Sequence, residues 1–348
     1  MTKSLRIAVV GFGLVGRQHV TALQSATGVK LAAVVEPNRA AHDGASALGV
    51  PVLTDLEALA EVPVDGVILA TPTPMHVTMA LTCIANGWPT LIEKPIAVTS
   101  DEAKQIVAAS QKAGVPVLVG HHRRYNSIVT TAKAALEDGA VGAIRAVQCT
   151  CWLYKPDDYF DAAPWRKKPG AGPISVNLVH DVDLLRHFCG EVASVHAVTA
   201  PAVRGYDNED LAAAVLTFAS GAIGTLSVSD SVAAPWSWEL TSGENPAYPK
   251  TTQSCYQIGG TQGGLSIPDL RIWRHEGDGG WWSPMEATTL PHTPVVSLVA
   301  QLEHFAEVIR GKAAPRVSAA EGTRSLAVVE AVDRSARTGK TIQLAPAG

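Results

Sequence analysis

The stretch RIAVVGFGLVGRQHVTALQ, residues 6–24, decides the fold. An apolar run from Ile7 to Val10 meets a turn with glycine at 11, 13 and 16, and the residues after the turn carry helical spacing. The pattern G-x-G-x-x-G is weak alone, because glycines are common. Placed directly after a strand and opening a helix, it is the context a dinucleotide pyrophosphate requires. Gly11 allows the tight turn, Gly13 lets backbone approach the phosphates, and Gly16 lets helix and strand pack closely. Phe12, Leu14 and Val15 complete the turn, whose N–H groups face an anion at the helix N-terminus.

Working outward, short apolar runs alternate with helix-like segments. RIAVVGFG, LAAVVEP, PVDGVILATP, PTLIEKP and VPVLVGH are strand candidates, and VGRQHVTALQSA, RAAHDGASALG, MHVTMALTCIANG and SDEAKQIVAASQKAG are helix candidates. Continuous rather than alternating apolar strands mean burial on both faces, hence a doubly wound parallel α/β sheet covered by helices. Glu36 ends the second strand, where a carboxylate accepts from ribose hydroxyls and repels a 2'-phosphate, so NAD is expected. Arg39, close by, leaves NADP open.

After His121 the texture changes. A helix candidate at 127–138 leads into RAVQCTCWLY, in which Val147, Cys149, Cys151 and Leu153 alternate with Gln148, Thr150, Trp152 and Tyr154. Further strand candidates at 194–199, 211–218, 222–229 and 254–259, with a helix at 176–188, make an α+β domain with a mostly antiparallel sheet. The expected division is residues 1–121 for dinucleotide binding and 122–348 for substrate binding and oligomerisation. The segment 233–262 reads as long loops, and its Trp236, Trp238, Tyr248 and Tyr256 would suit either a flat ligand ring or loop packing.

Composition bounds the function. A chain of 348 residues, 47% hydrophobic and 17% charged, can bury two cores. A net charge of -4 without positive blocks argues against nucleic acid as a partner. Five cysteines, an odd number, suggest no disulfide framework and point to a reducing cytoplasm. Cys149 and Cys151 lack a second ligand pair at zinc spacing, as do His121 and His122, so no metal is expected. The N-terminal apolar run is too short for a signal-peptide core, and no stretch is long enough for a membrane helix.

LIEKP, residues 91–95, brings Glu93 and Lys94 to the end of a buried parallel strand, the edge of a sheet where ligands sit. With the opening glycine turn and Glu36, this E-K-P resembles the Gfo/Idh/MocA family of dinucleotide-dependent oxidoreductases. TPTPMH at 71–76, HHRRYN at 121–126 and PWRKKPGAGPISVNLVHDVDLLRHFCG at 164–190 extend the resemblance over nearly the whole chain. It implies a Rossmann domain and a second, open-sheet domain with the active site between them, and a hydride exchanged between nicotinamide and a CH–OH group of a sugar, polyol or related cyclic alcohol. By resemblance, Lys94 and His180 are catalytic, Glu93 positions Lys94, and a cis peptide precedes Pro95. Thr71, Pro72, His76, Trp165 and Arg166 are expected near the cofactor, and Arg123, Asn177 and Asp183 near the substrate.

One position departs from the family. An aspartate often stands four residues before the helix histidine, and here that residue is Val176. Asn177 shares a helical face with His180 but cannot titrate, and Asp183, three residues beyond, is the alternative. The resemblance also admits a cis-dihydrodiol dehydrogenase, a glycosidase using NAD transiently, and a non-catalytic dinucleotide sensor. Homodimers or homotetramers built through the second sheet are expected.

Overall fold

Apolar strands without alternation must be covered on both sides, and the first sheet is built this way. The computed structural model describes residues 3–277 and 279–346. Strands β1 (Leu5–Val10), β2 (Val29–Val35), β3 (Val52–Leu53), β4 (Gly66–Leu69), β5 (Thr90–Ile92) and β6 (Val117–Val119) form a parallel sheet in the order 3-2-1-4-5-6. That is the doubly wound order with its switch point between β1 and β4. Five of these strands match the apolar runs; β3 has only two residues, too few to show a period. The expected helix at RAAHDGASALG is instead a 3-10 turn, Arg39–Ala41, and a five-residue helix, His42–Ser46. Asp43, Gly44 and Ser46 are poor helix formers, so little sustains a longer one.

The two compact units are not separated by a single cut in the chain. One compact unit joins the chain up to Tyr125 with Val295–Leu326, and the other joins Asn126–Pro294 with the chain from Ala327 onward. The cause is the helix Ser297–Ile309, whose Leu302, Phe305 and Ala306 belong to one buried cluster with Ile7, Val9, Leu23 and Ile68. Full burial of Leu302 or Phe305 stabilises by roughly 1.5–3 kcal/mol each. Gly66 makes room for this helix, because a Cβ there would come within 2.7 Å of Ile309 Cδ1.

In the second unit, β7 (Ile144–Trp152), β8 (Val192–Thr199), β9 (Leu211–Phe218), β10 (Ile223–Ser229), β11 (Tyr256–Gly260), β12 (Gly264–Ile267), β13 (Arg271–His275), β14 (Met285–Thr289) and β15 (Ile342–Gln343) form one sheet. Among the described residues of this sheet, only β7 and β10 pair in parallel. The period-2 alternation in β7 puts Val147, Cys149 and Cys151 into a core shared with Val129, Leu178, Val182, Leu185 and Val332. No helix covers the opposite face among the described residues, and Val198, Val215 and Ile223 are 57%, 46% and 54% exposed there. The segment expected as loops holds a short helix, Trp238–Thr241, as well as β11. Trp238 and Tyr256 lie in the core, so only Trp236 and Tyr248 of the four aromatics remain open to a ligand ring.

Candidate functional site

The glycine turn has the shape its spacing implies. Gly11 has φ +92°, and a Cβ on it would meet the Ala70 carbonyl oxygen at 2.6 Å. A Cβ on Gly16 would run into the Gly11 carbonyl oxygen, whereas nothing lies within 4 Å of one on Gly13. Gly13 caps the helix Leu14–Ser25, whose first residues Leu14 and Val15 are 70% and 38% exposed while Phe12 is buried. Glu36 closes the turn from the side. One of its carboxylate oxygens accepts from the Phe12 N–H at 2.8 Å and the other from the Asn38 N–H at 2.8 Å. Each oxygen keeps a lone pair for a hydroxyl. Arg39 is exposed at the start of the following 3-10 turn. Thr71 Oγ1, beside Gly11, is buried without a hydrogen-bond partner, so the cradle offers backbone N–H groups, a carboxylate and an unused hydroxyl to a dinucleotide.

Beyond β5 the chain places Glu93 inside and half-buries Lys94. The Glu93 carboxylate bonds His19 Nε2 at 2.7 Å, and His19, on the helix that follows the glycine turn, is fully buried. Burial raises the pKa of Glu93, but the hydrogen bond and charge of His19, with Lys94 and His122 nearby, outweigh it and hold the carboxyl down at about 2. Glu93 also accepts from the Lys94 backbone N–H at 3.2 Å, so the pair fixes the backbone that carries the lysine. Gly120 on the neighbouring strand end is required, since a Cβ there would stand 2.9 Å from Glu93 Oε1. The Lys94–Pro95 peptide is cis.

His76 does not face outward. Its ring is buried between the carbonyl oxygens of Thr71 and Pro95, both at 2.9 Å, and so ties the loop after β4 to the loop after β5. Burial lowers its pKa against these two carbonyls, which favour the protonated ring. Pro72 is exposed and starts the 3-10 turn Thr73–Met75. Arg123 is buried in the turn His122–Tyr125 after β6, and neighbouring Arg124 pairs with Glu321 at 3.4 Å.

In the second unit, His180 and Asp183 are buried on the helix Leu178–Cys189, 9% and 1% exposed. Between them Asp181 bonds the buried Tyr256 hydroxyl and anchors the helix to β11. Asn177 precedes the helix, and its Oδ1 accepts from Lys155 Nζ at 2.8 Å. Trp165 is 59% exposed, while Arg166 lies over the Tyr159 ring at 4.0 Å.

The sequence reading missed His19 and Lys155. His19 stands three residues after Gly16, on the helix face that buries Gly16 and Val20, and a polar residue on an apolar face was the available signal. Lys155 had a better one: LYKP closes β7 as IEKP closes β5. Among the described residues no group of three or more His, Cys, Asp or Glu could hold a metal, and no helix is long and apolar enough to cross a membrane.

Comparison with known proteins follows the same two parts. Residues 5–121 match the family described as oxidoreductase family, NAD-binding Rossmann fold, and residues 129–266 match the GFO/IDH/MocA C-terminal domain. D-apiose dehydrogenase of Paraburkholderia graminis is 27% identical over 98% of this chain and 90% of its own. The scyllo-inositol 2-dehydrogenase (NAD(+)) of Bacillus subtilis is 27% identical over 99% of this chain and 97% of its own. The WlbA dehydrogenase from Bordetella pertussis, crystallised with NADH and UDP-GlcNAcA, matches with a TM-score of 0.80 at 27% identity, covering 99% of this chain and 100% of that one.

Proposed function

The chain belongs to the GFO/IDH/MocA oxidoreductase family, and from that premise we propose a dehydrogenase acting on a CH–OH group of a sugar, polyol or related cyclic alcohol. The carrying observation is the seat of Lys94: its backbone is tied through Glu93 to His19, on the helix that the dinucleotide turn opens. Relatives that are sugar and inositol dehydrogenases support the substrate class.

Bound NAD supplies the hydride acceptor, or in the reverse direction NADH the donor. Gly11, Gly13 and Gly16 shape the turn, where the N–H groups of Leu14 and Val15 would hold the pyrophosphate, and Glu36, fixed by the Phe12 N–H, would take the ribose hydroxyls. Lys94 hydrogen-bonds the substrate oxygen and stabilises it as negative charge develops. His180 exchanges the hydroxyl proton, for which an imidazole suits neutral pH. Asn177 orients the substrate and moves no proton, and Asp183, three residues beyond His180 on that helix, is the alternative carboxylate. Trp165, Arg166, Thr71, Pro72 and Arg123 are assigned to binding rather than chemistry, and His76 to holding the two loops that flank Lys94.

A panel of sugars, polyols and dihydrodiols, read by absorbance of the reduced cofactor, tests the reaction. Net reduction with one of the first two classes is expected, and binding without turnover across the panel would count against it. Glu36 predicts a Michaelis constant for NADP at least ~10-fold above that for NAD, a ratio worth about 1.4 kcal/mol; the reverse order would remove Glu36 from its role.

We further propose a homodimer or homotetramer in the cytoplasm. The uncovered sheet face supports the first part: it exposes Val198, Val215 and Ile223, the first two lining a shallow depression of about 350 Å³. Five free, buried cysteines support the second. Light scattering should return two or four times 36.4 kDa, and Val215→Arg should lower the mass without lowering the melting temperature. A wild-type monomer would rule out the assembly.

A further inference from the structure

We propose that the substrate carries a carboxylate, recognised by Lys155 together with Arg166 and the side-chain amide of Asn177. This rests on the reading of Asn177 and His180 as substrate-side residues. Lys155 is 8% exposed, and such a buried ammonium needs its donors met. Its Nζ has three donors and two acceptors, Asn177 Oδ1 at 2.8 Å and Asp230 Oδ2 at 3.4 Å. The second is long for a charge-assisted bond. Asp230 is engaged elsewhere, for its other oxygen accepts from Arg204 Nη1 at 2.9 Å.

Arg166 lies on the same Tyr159 ring as Lys155, 4.0 Å and 5.2 Å from the centroid respectively. Its one hydrogen-bond acceptor is the Tyr159 carbonyl, and its buried Nε has none. It forms no ion pair among the described residues. Asp157 stands 3.9 Å from Arg204 but is 79% exposed, and Glu239 acts on Lys155 only through its field. Lys155 and Arg204 therefore share the one buried carboxylate of Asp230, and Arg166, against the same Tyr159 ring as Lys155, has no carboxylate of its own among the described residues.

Asn177 adds direction. An ammonium only donates, so the amide must give Lys155 its oxygen and keep its NH2 for another acceptor. Ammonium, guanidinium and amide all offer N–H and no acceptor, which selects an oxyanion over a hydroxyl. A singly charged carboxylate balances the half-paired Lys155 better than a phosphate dianion does.

The test is calorimetric titration of the NADH-loaded enzyme with uronates and aldonates, each beside its neutral sugar, and with the corresponding sugar phosphates. At least one acid should bind ~10-fold or more tighter than its neutral counterpart, as expected for a hydrogen bond to a charged group. Lys155→Met should abolish that preference and Lys155→Arg should keep part of it; Arg166→Gln should weaken it if Lys155→Met fails to fold. Equal affinities for acids and neutral sugars throughout, a preference surviving Lys155→Met, or tighter binding of phosphates would each overturn the proposal. NADH formation is recorded on the same panel: selective acid binding without any turnover would defeat the dehydrogenase reading and leave the anion site standing.

Discussion

Lys94→Met should lower kcat/KM by about 10³-fold, the size of the effect when one preorganised donor to a developing oxyanion is lost. Methionine keeps most of the aliphatic stem and removes only the ammonium. Several bonds that fix this loop run through other groups: Glu93 meets His19 and the Lys94 backbone N–H, and His76 meets the carbonyls of Thr71 and Pro95. The variant should therefore stay folded and bind NAD in calorimetry. His180→Gln should cost ~10²–10⁴-fold as a lost acid or base. Turnover within a few fold of wild type in both variants would remove them from the chemistry.

His19→Ala should destabilise the chain by roughly 3–5 kcal/mol, because it leaves the Glu93 carboxylate buried without its partner. Alanine also opens a cavity at a fully buried site. Glu93 gives the pair a signature in acid. Its pKa falls from 4.5 to about 2 on folding, so the unfolded chain binds its proton first as the pH drops. The stabilisation is complete above about pH 4.5 and is lost as the pH falls through about 2. A shift of this size corresponds to about 3 kcal/mol. Denaturant unfolding from neutral to acid pH should show Glu93→Gln less stable than wild type at neutrality, with the two curves converging toward pH 2. Curves that stay parallel would mean that the carboxylate holds nothing in place. Lys94 adds a functional readout: His19→Gln should lower kcat more than it lowers NAD affinity, because the backbone under the lysine loosens while the glycine turn stays.

The first sheet could be read from the chain because burial on both faces makes its strands continuous apolar runs, as in Ile7 to Val10. Gly11 and Gly16 were legible for a related reason: each answers a contact made within the turn and its two flanking elements. Lys94 became legible only through its company, since a charged pair ending a strand is common. His19 was not. Its partner is 74 residues away, and nothing in GRQHV separates a histidine that meets a buried glutamate from one that faces water. Trp238 and Tyr256 likewise looked like loop aromatics, because neighbours rich in Pro, Gly and Ser hid the core beneath them.

The expected roles of Lys94 and His180 came from resemblance, whereas the chain's local order settled the parallel sheet, the glycine turn and the alternation of β7. These depend on period and on backbone demands, which act over a few residues. Folding settled which charges meet, His19 with Glu93 and Lys155 with Asn177 and Asp230, and sent the helix Ser297–Ile309 back to the first unit. Those outcomes depend on which distant surfaces exclude water together, and a buried ion finds its counter-charge only once that packing has closed around it.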